Sequence, residues 1–123
     1  MTRINLISPK QLHQKHLLAE YRELPRIVTA VRKQQAKGNT PDDIDIPPDY
    51  VLGKGHMKFF YDKLEFLRRR YFLIVAECWR RKYKIQYSEL SLKGVDQCWR
   101  GDYNPTRKAI QLNKQRIAER MPL

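Results

Sequence analysis

Three features of this sequence could do chemistry with no bound group to help them. The first is the start of the chain, Met1-Thr2-Arg3. Thr2 is small, so removal of Met1 exposes its α-amino group. Near pH 7.3 roughly a fifth of ordinary α-amines are neutral, against under 0.1% of unperturbed lysines. Such an amine is a nucleophile ready to form an imine without burial to tune it. Many cytosolic chains begin Met-Thr, so this start carries no chemistry by itself. The second feature is Glu23, set between Arg22 and Pro25-Arg26 and sharing a helix edge with His16. It is either a solvated carboxylate paired with Arg26 or Lys15, or a carboxylate held among cations beside bound phosphates. In the second case it is placed to take a proton from a sugar carbon. The third feature is the series Lys15, Arg22, Arg26 and Lys33. At about 100° per residue these four fall in one narrow stripe. That stripe reads as a solvated helix face or as a ridge that tracks a phosphate backbone.

Other catalytic chemistries lack their residues. His13, His16 and His56 form no HExxH, and no CxxC is present. GxxxxGK[ST], GxGxxG and GxSxG are also missing, and Gly53-Lys54-Gly55 is too short to cradle a nucleotide phosphate chain. Cys78 and Cys98 make no disulfide framework. Metal, nucleotide and serine-hydrolase chemistry are therefore disfavoured, and no cofactor or metal is expected. The positive signal is charge: 25 Lys+Arg against 13 Asp+Glu, for a formal charge of +12. A chain this basic seeks a polyanion, nucleic acid first and anionic membrane second. Charge alone speaks for binding and is silent on catalysis.

The elements that must position these groups read as helices. Ser8-Pro9-Lys10-Gln11 offers an N-cap serine, a proline at the first helical position and a capping-box glutamine. Helical periodicity continues to about Lys37, with Gly38 in the usual C-terminal position. Leu17, Tyr21, Leu24, Val28 and Val31 lie nearly opposite the basic stripe, so this helix is amphipathic with its charged ridge outward. Pro25 removes a backbone donor inside it and either kinks the axis near Tyr21–Leu24 or lets it curve around the core. Residues 39–56 read as a connecting loop rich in proline and acidic residues. A second helix is expected from about Phe59 to Lys82, with Phe60, Leu64, Leu67, Tyr71, Ile74, Val75 and Cys78 inward. Residues 83–103 read mainly as loop, with Lys84–Tyr87 a possible extended piece. Asn104-Pro105 resembles a cap for a third helix from about Thr106 to Arg120, with Ala109, Leu112 and Ile117 inward. Phe59, Phe60, Tyr61, Phe66 and Trp79 read as packing residues, and Trp99 and Tyr103 as the better base-stacking candidates. The expectation is an all-α fold, a single domain over 1–123 with three helices and long irregular connections.

Several strings resemble the bacteriophage-type pyrimidine-dimer DNA glycosylases, the dimer-specific endonuclease V family. They are Met1-Thr2-Arg3-Ile4-Asn5-Leu6, Ala19-Glu20-Tyr21-Arg22-Glu23-Leu24-Pro25-Arg26, Ala30-Val31-Arg32-Lys33 and Leu52-Gly53-Lys54-Gly55-His56. Further matches are the run Phe59 to Arg68, Ala76-Glu77-Cys78 and Arg100-Gly101-Asp102-Tyr103. The resemblance spans nearly the whole chain. It implies three helices with the N-terminal segment threaded between them, and an enzyme that is both glycosylase and abasic-site lyase. By that likeness the Thr2 α-amine attacks C1′ of the damaged nucleotide and expels the base. Glu23 assists and removes the C2′ proton, and β-elimination cuts the strand on the 3′ side. Arg3, Arg22 and Arg26 match family residues that grip DNA near the lesion, and Arg116 and Arg120 align with basic positions on the last helix. Lys15, His16 and Lys33 complete the expected DNA-binding set. The family kinks its DNA and flips out a base opposite the lesion, which costs a few kcal/mol and less where damage has weakened pairing.

Two departures bear on substrate choice. Lys15 stands where the phage enzyme carries an amide side chain, and the sequence ends at Met121-Pro122-Leu123 where that enzyme continues with an aromatic, lysine-containing tail tied to dimer recognition. The expected partner is double-stranded damaged DNA, bound by a monomer without membrane association. A non-catalytic basic DNA-binding module, or the same enzyme class acting on abasic or oxidised-purine sites, are the alternatives. Met1 to Leu6 contain no apolar signal region, which is about 7–15 residues long, so a cytoplasmic setting beside nucleoid or viral DNA is expected.

Overall fold

A computed structural model describes residues 4–121. It contains four α-helices: α1 (Gln14–Ala36), α2 (His56–Phe59), α3 (Leu64–Arg80) and α4 (Arg107–Glu119). Single 3₁₀ turns occur at Pro9–Gln11, Pro41–Asp43 and Gln97–Trp99. The described residues hold no strand, only an isolated antiparallel bridge between Lys63 and Arg100. The all-α expectation holds, with a one-turn helix added to the three long ones. None of these helices is long and apolar enough to cross a membrane.

The start of α1 differs from the sequence reading. Ser8 does cap a helix, but its Oγ accepts from the Lys10 amide at 3.3 Å to close only the 3₁₀ turn. Leu12 is extended (ψ 135°), and α1 begins two residues later, with His13 Nδ1 accepting from the Lys15 amide at 3.1 Å. The cause lies far along the chain. Arg81 donates to the carbonyls of Pro9 and Leu12 at 3.2 and 2.8 Å, claiming the Leu12 oxygen that a longer helix would use. Arg81 is itself braced by Glu77, whose carboxyl is held down to about 2 by hydrogen bonds from Arg80 and Arg81. At the other end Gly38 (φ +85°) permits a Schellman turn, the Gly38 and Asn39 amides donating to the Gln35 and Gln34 carbonyls. The helix runs without interruption through Pro25.

α3 starts at Leu64, five residues later than expected. Residues 60–63 turn instead, because the backbone there is paired with a distant segment. Gly101 N–H donates to the Asp62 carbonyl at 3.0 Å, and Glu65 N–H to the Gly101 carbonyl at 3.1 Å. α1 and α3 then pack against each other through Leu17, Leu24, Val28 and Val31 on one side and Leu67, Tyr71, Ile74 and Cys78 on the other. The cap of α4 is Thr106, whose Oγ1 accepts from the Ala109 amide at 3.0 Å, rather than Asn104.

The irregular stretch after α3 is held down by side chains. Tyr21 and Tyr71 stack with centroids 5.5 Å apart, and both hydroxyls donate to the Tyr87 carbonyl. Arg32 and Gln35 on α1 donate to the Ser91 and Gly94 carbonyls at 3.0 and 2.9 Å. Two aromatic assignments are reversed by this packing. Trp99 is fully buried and so offers no base-stacking platform, whereas Trp79, read as packing, is 59% exposed. Tyr103 is half-buried, edge-on to Phe59, Phe60 and Phe66.

Candidate active site and basic surface

Glu23 lies on α1 with its side chain only 14% exposed, and Oε1 accepts from Arg26 Nη1 at 3.0 Å. Arg26 is 69% exposed, so this pair presents a sheltered carboxylate behind an accessible cation. Of the two readings of Glu23, the Arg26 partnership is present. It does not exclude a proton-transfer role, since a carboxylate has acceptor capacity beyond one hydrogen bond.

Lys15, Arg22, Arg26 and Lys33 are all exposed, as the helical phase predicts. Arg120 is exposed just past α4, and Arg116 is half-buried beside Glu119 at 3.5 Å. His16 is a correction to the expected surface set: only 2% of it is accessible. Its phase places it beside Leu17 and Glu20, toward the core. Burial lowers its pKa below the ordinary 6.5, and contact with the Arg120 backbone opposes that shift. Thr2 and Arg3 lie outside the described residues.

What the structure does define is how the chain approaches its start. Residues 4–7 run through a set of buried polar side chains. The Ile4 amide donates to His56 Nε2 at 3.1 Å, and Tyr50 OH donates to the Ile4 carbonyl at 3.2 Å. His56 Nδ1 lies 2.7 Å from the Val51 carbonyl, which places the ring proton there and leaves Nε2 as the acceptor. Asn5 Nδ2 donates to Glu20 Oε1 at 2.9 Å, and Asn113 Nδ2 donates to Asn5 Oδ1 at 2.9 Å. The Leu6 amide donates to Asn113 Oδ1 at 2.7 Å. Arg70 donates to the Ile7 carbonyl at 2.6 Å and to Glu20 Oε1 at 3.0 Å. Asn5, Glu20 and Asn113 are 0% exposed and Arg70 is 5% exposed.

This network was not anticipated from the sequence. Part of its signal was there: Glu20 falls in the apolar stripe of α1 and Arg70 in that of α3, a charge of each sign inside a hydrophobic face. Asn5, His56 and Asn113 carry no such mark, because nothing local distinguishes a buried amide or imidazole from a solvated one. Glu20 and Glu23 are three residues apart and so neighbours on the helix surface. The segment bonded to Glu20 therefore approaches α1 within one turn of Glu23. Residues 1–89 match the family model for pyrimidine dimer DNA glycosylase.

Proposed function

The chain belongs to the pyrimidine dimer DNA glycosylase family, DNA-binding enzymes of DNA repair, and from that premise we propose a bifunctional glycosylase and abasic-site lyase whose nucleophile is the Thr2 α-amine. The neutral amine attacks C1′ of the damaged nucleotide, the C1′–base bond breaks and the base leaves with its electron pair. The attacking nitrogen sheds a proton, its lone pair opens the C1′–O4′ bond as O4′ takes up a proton, and the resulting iminium acidifies the C2′ proton. Glu23 accepts that proton, the electrons move toward the iminium, and the C3′–O bond breaks to nick the strand on the 3′ side. Pyrimidine dimers are the substrate, and an abasic site enters the same path at imine formation. Lys15, Arg22, Arg26 and Lys33, with Arg116 and Arg120, hold duplex phosphates while Arg3 lies near the lesion.

The observation that supports this reading is the docking of Asn5 on Glu20, one helical turn from Glu23. Thr2 lies three residue steps before Asn5, and an extended chain of that length spans at most about 11 Å. Covalent geometry thus limits how far the Thr2 nitrogen can lie from Asn5, which supports pairing it with the sheltered carboxylate and the exposed arginines. A metal or cofactor plays no part in these steps. The test is borohydride reduction on duplexes carrying a cyclobutane dimer or an abasic site, followed by peptide mapping. The expected adduct is on the Thr2 nitrogen. An adduct on a lysine, or normal nicking after acetylation of the terminus, would overturn the assignment.

A further inference from the structure

We propose that the buried cluster of Asn5, Glu20, Tyr50, His56, Arg70 and Asn113 is a register clamp that positions the reactive chain terminus. The inference rests on the Thr2 reading above and assigns these six as positioning residues, none of which touches substrate.

The chemistry of the cluster argues for placement over adhesion. A buried ion pair such as Glu20–Arg70 is weak evidence of stability, because desolvation opposes its attraction and well-packed apolar replacements are often neutral or stabilising. Here each member of the pair uses further capacity on the N-terminal segment, Glu20 on the Asn5 amide group and Arg70 on the Ile7 carbonyl. Asn113 addresses two successive residues at once, accepting from the Leu6 amide and donating to Asn5 Oδ1. His56 and Tyr50 take the amide and the carbonyl of Ile4. A slip by one residue would bring the apolar side chain of Ile4 or Leu6 to where the Asn5 amide meets Glu20 and Asn113, leaving those buried groups without their partner.

The consequence is geometric. A one-residue slip moves the chain by about 3.3–3.6 Å, as large as the separation of reacting atoms in a productive complex, roughly 3–3.5 Å. Chain ends are by default the least ordered part of a domain. A nucleophile sited two residues before Ile4 can lie no more than about 7 Å from the Ile4 nitrogen, and the His56 contact fixes that nitrogen.

The decisive variant is the full-length Glu20→Leu/Arg70→Met double substitution, which removes the clamp's charges without leaving one of them buried alone. Melting temperature, affinity for a duplex with a reduced, non-cleavable abasic analogue, and single-turnover borohydride trapping at saturating abasic duplex are measured together. The clamp predicts a folded variant with a melting temperature lowered by the Asn5 and Ile7 groups left without partners, affinity within about twofold, and trapping slowed by about 10–100-fold, the scale of a roughly 1 Å misplacement. A folded double variant that traps at the parent rate overturns the proposal. If the double variant does not fold, Asn113→Ala is compared with Leu92→Ala, a buried-core truncation away from the segment. Slower trapping in Asn113→Ala at matched loss of stability supports the clamp, and equal trapping overturns it. Peptide mapping of the parent separates the two claims. No adduct at Thr2 in the parent defeats the underlying reading, while a Thr2 adduct with unslowed variants defeats the clamp alone.

Discussion

Replacing Glu23 by glutamine separates catalysis from the stability carried by its pair with Arg26. Its hydrogen bond to Arg26 is 3.0 Å long, but Arg26 is 69% exposed, so solvent screening limits the pair to about 0.2–1 kcal/mol. Glutamine keeps the shape and one acceptor oxygen. Loss of that pair should lower the melting temperature by about 4 °C or less. Duplex affinity should hold or rise, because one negative charge leaves a surface that carries Arg22 and Arg26. Proton abstraction is a different matter. A positioned general base contributes about 10²–10⁴-fold, or roughly 2.7–5.4 kcal/mol at about 1.36 kcal/mol per factor of ten. Nicking of a duplex with one abasic site, followed under single turnover, should slow by that factor. Borohydride trapping on the same duplex should persist, since the amine is untouched and no base need be expelled. If Glu23→Gln nicks within about threefold of the parent, below the smallest contribution expected of a base, the proton acceptor lies elsewhere and the role given to Glu23 is wrong.

Arg22→Ala and Arg26→Ala should each weaken duplex binding almost regardless of sequence and reduce the slope of log affinity against log salt by about 1. An unchanged slope in titrations across salt would remove that arginine from the phosphate-contacting surface. Burial lowers the His16 pKa below 6.5, so the unfolded chain takes up its proton first as pH falls. That contribution to stability is complete above pH 6.5 and is lost as the pH drops below it toward the depressed native value. Urea midpoints should fall through this window, and the fall should shrink in His16→Gln. Gly101→Ala should destabilise by about 1–3 kcal/mol, since an added Cβ would sit 2.5 Å from the Asp62 carbonyl oxygen. A parent-like melting curve for that variant would mean the 62–101 backbone pairing is dispensable.

Legibility in the sequence followed the range of the interactions involved. The C-terminus of α1 was readable because Gly38 supplies a positive φ that the turn requires, and the basic stripe because helical phase alone decides which residues face out. The start of α3 was not, because Phe59–Lys63 continue an apolar helical pattern and only Gly101, far along the chain, diverts their backbone. The beginning of α1 was misread for the same reason, with Arg81 as the distant agent. The two tryptophans show both cases. Trp79 follows Phe72 by seven residues on α3 and shares its outward face, at 59% and 68% exposure, so its phase could have been read. Trp99 is buried by a 3₁₀ turn whose position depends on the bridge between Lys63 and Arg100, which no local pattern reports. Of the site, Glu23 and the cations were legible as residue types in a spacing, and Glu20 with Arg70 only as charges out of place.

The family match ends at residue 89, yet the chain's approach to its own start does not close within those residues. Glu20, His56 and Arg70 all lie inside the match, but the Leu6 amide and the Asn5 side-chain Oδ1 are met by Asn113 on α4. Without α4, two buried polar groups beside Ile4 would lack partners, at roughly 1–3 kcal/mol each, and the segment would have reason to leave its groove. The same region supplies Gly101, which ends the turn before α3, and the Arg120 backbone, which lies against His16. Residues 90–121 therefore do more than extend a basic surface. They complete the restraints on residues 4–7, so if the reactive group is the chain terminus, damage to α4 should reach the chemistry through Asn113 even where no α4 side chain meets the lesion.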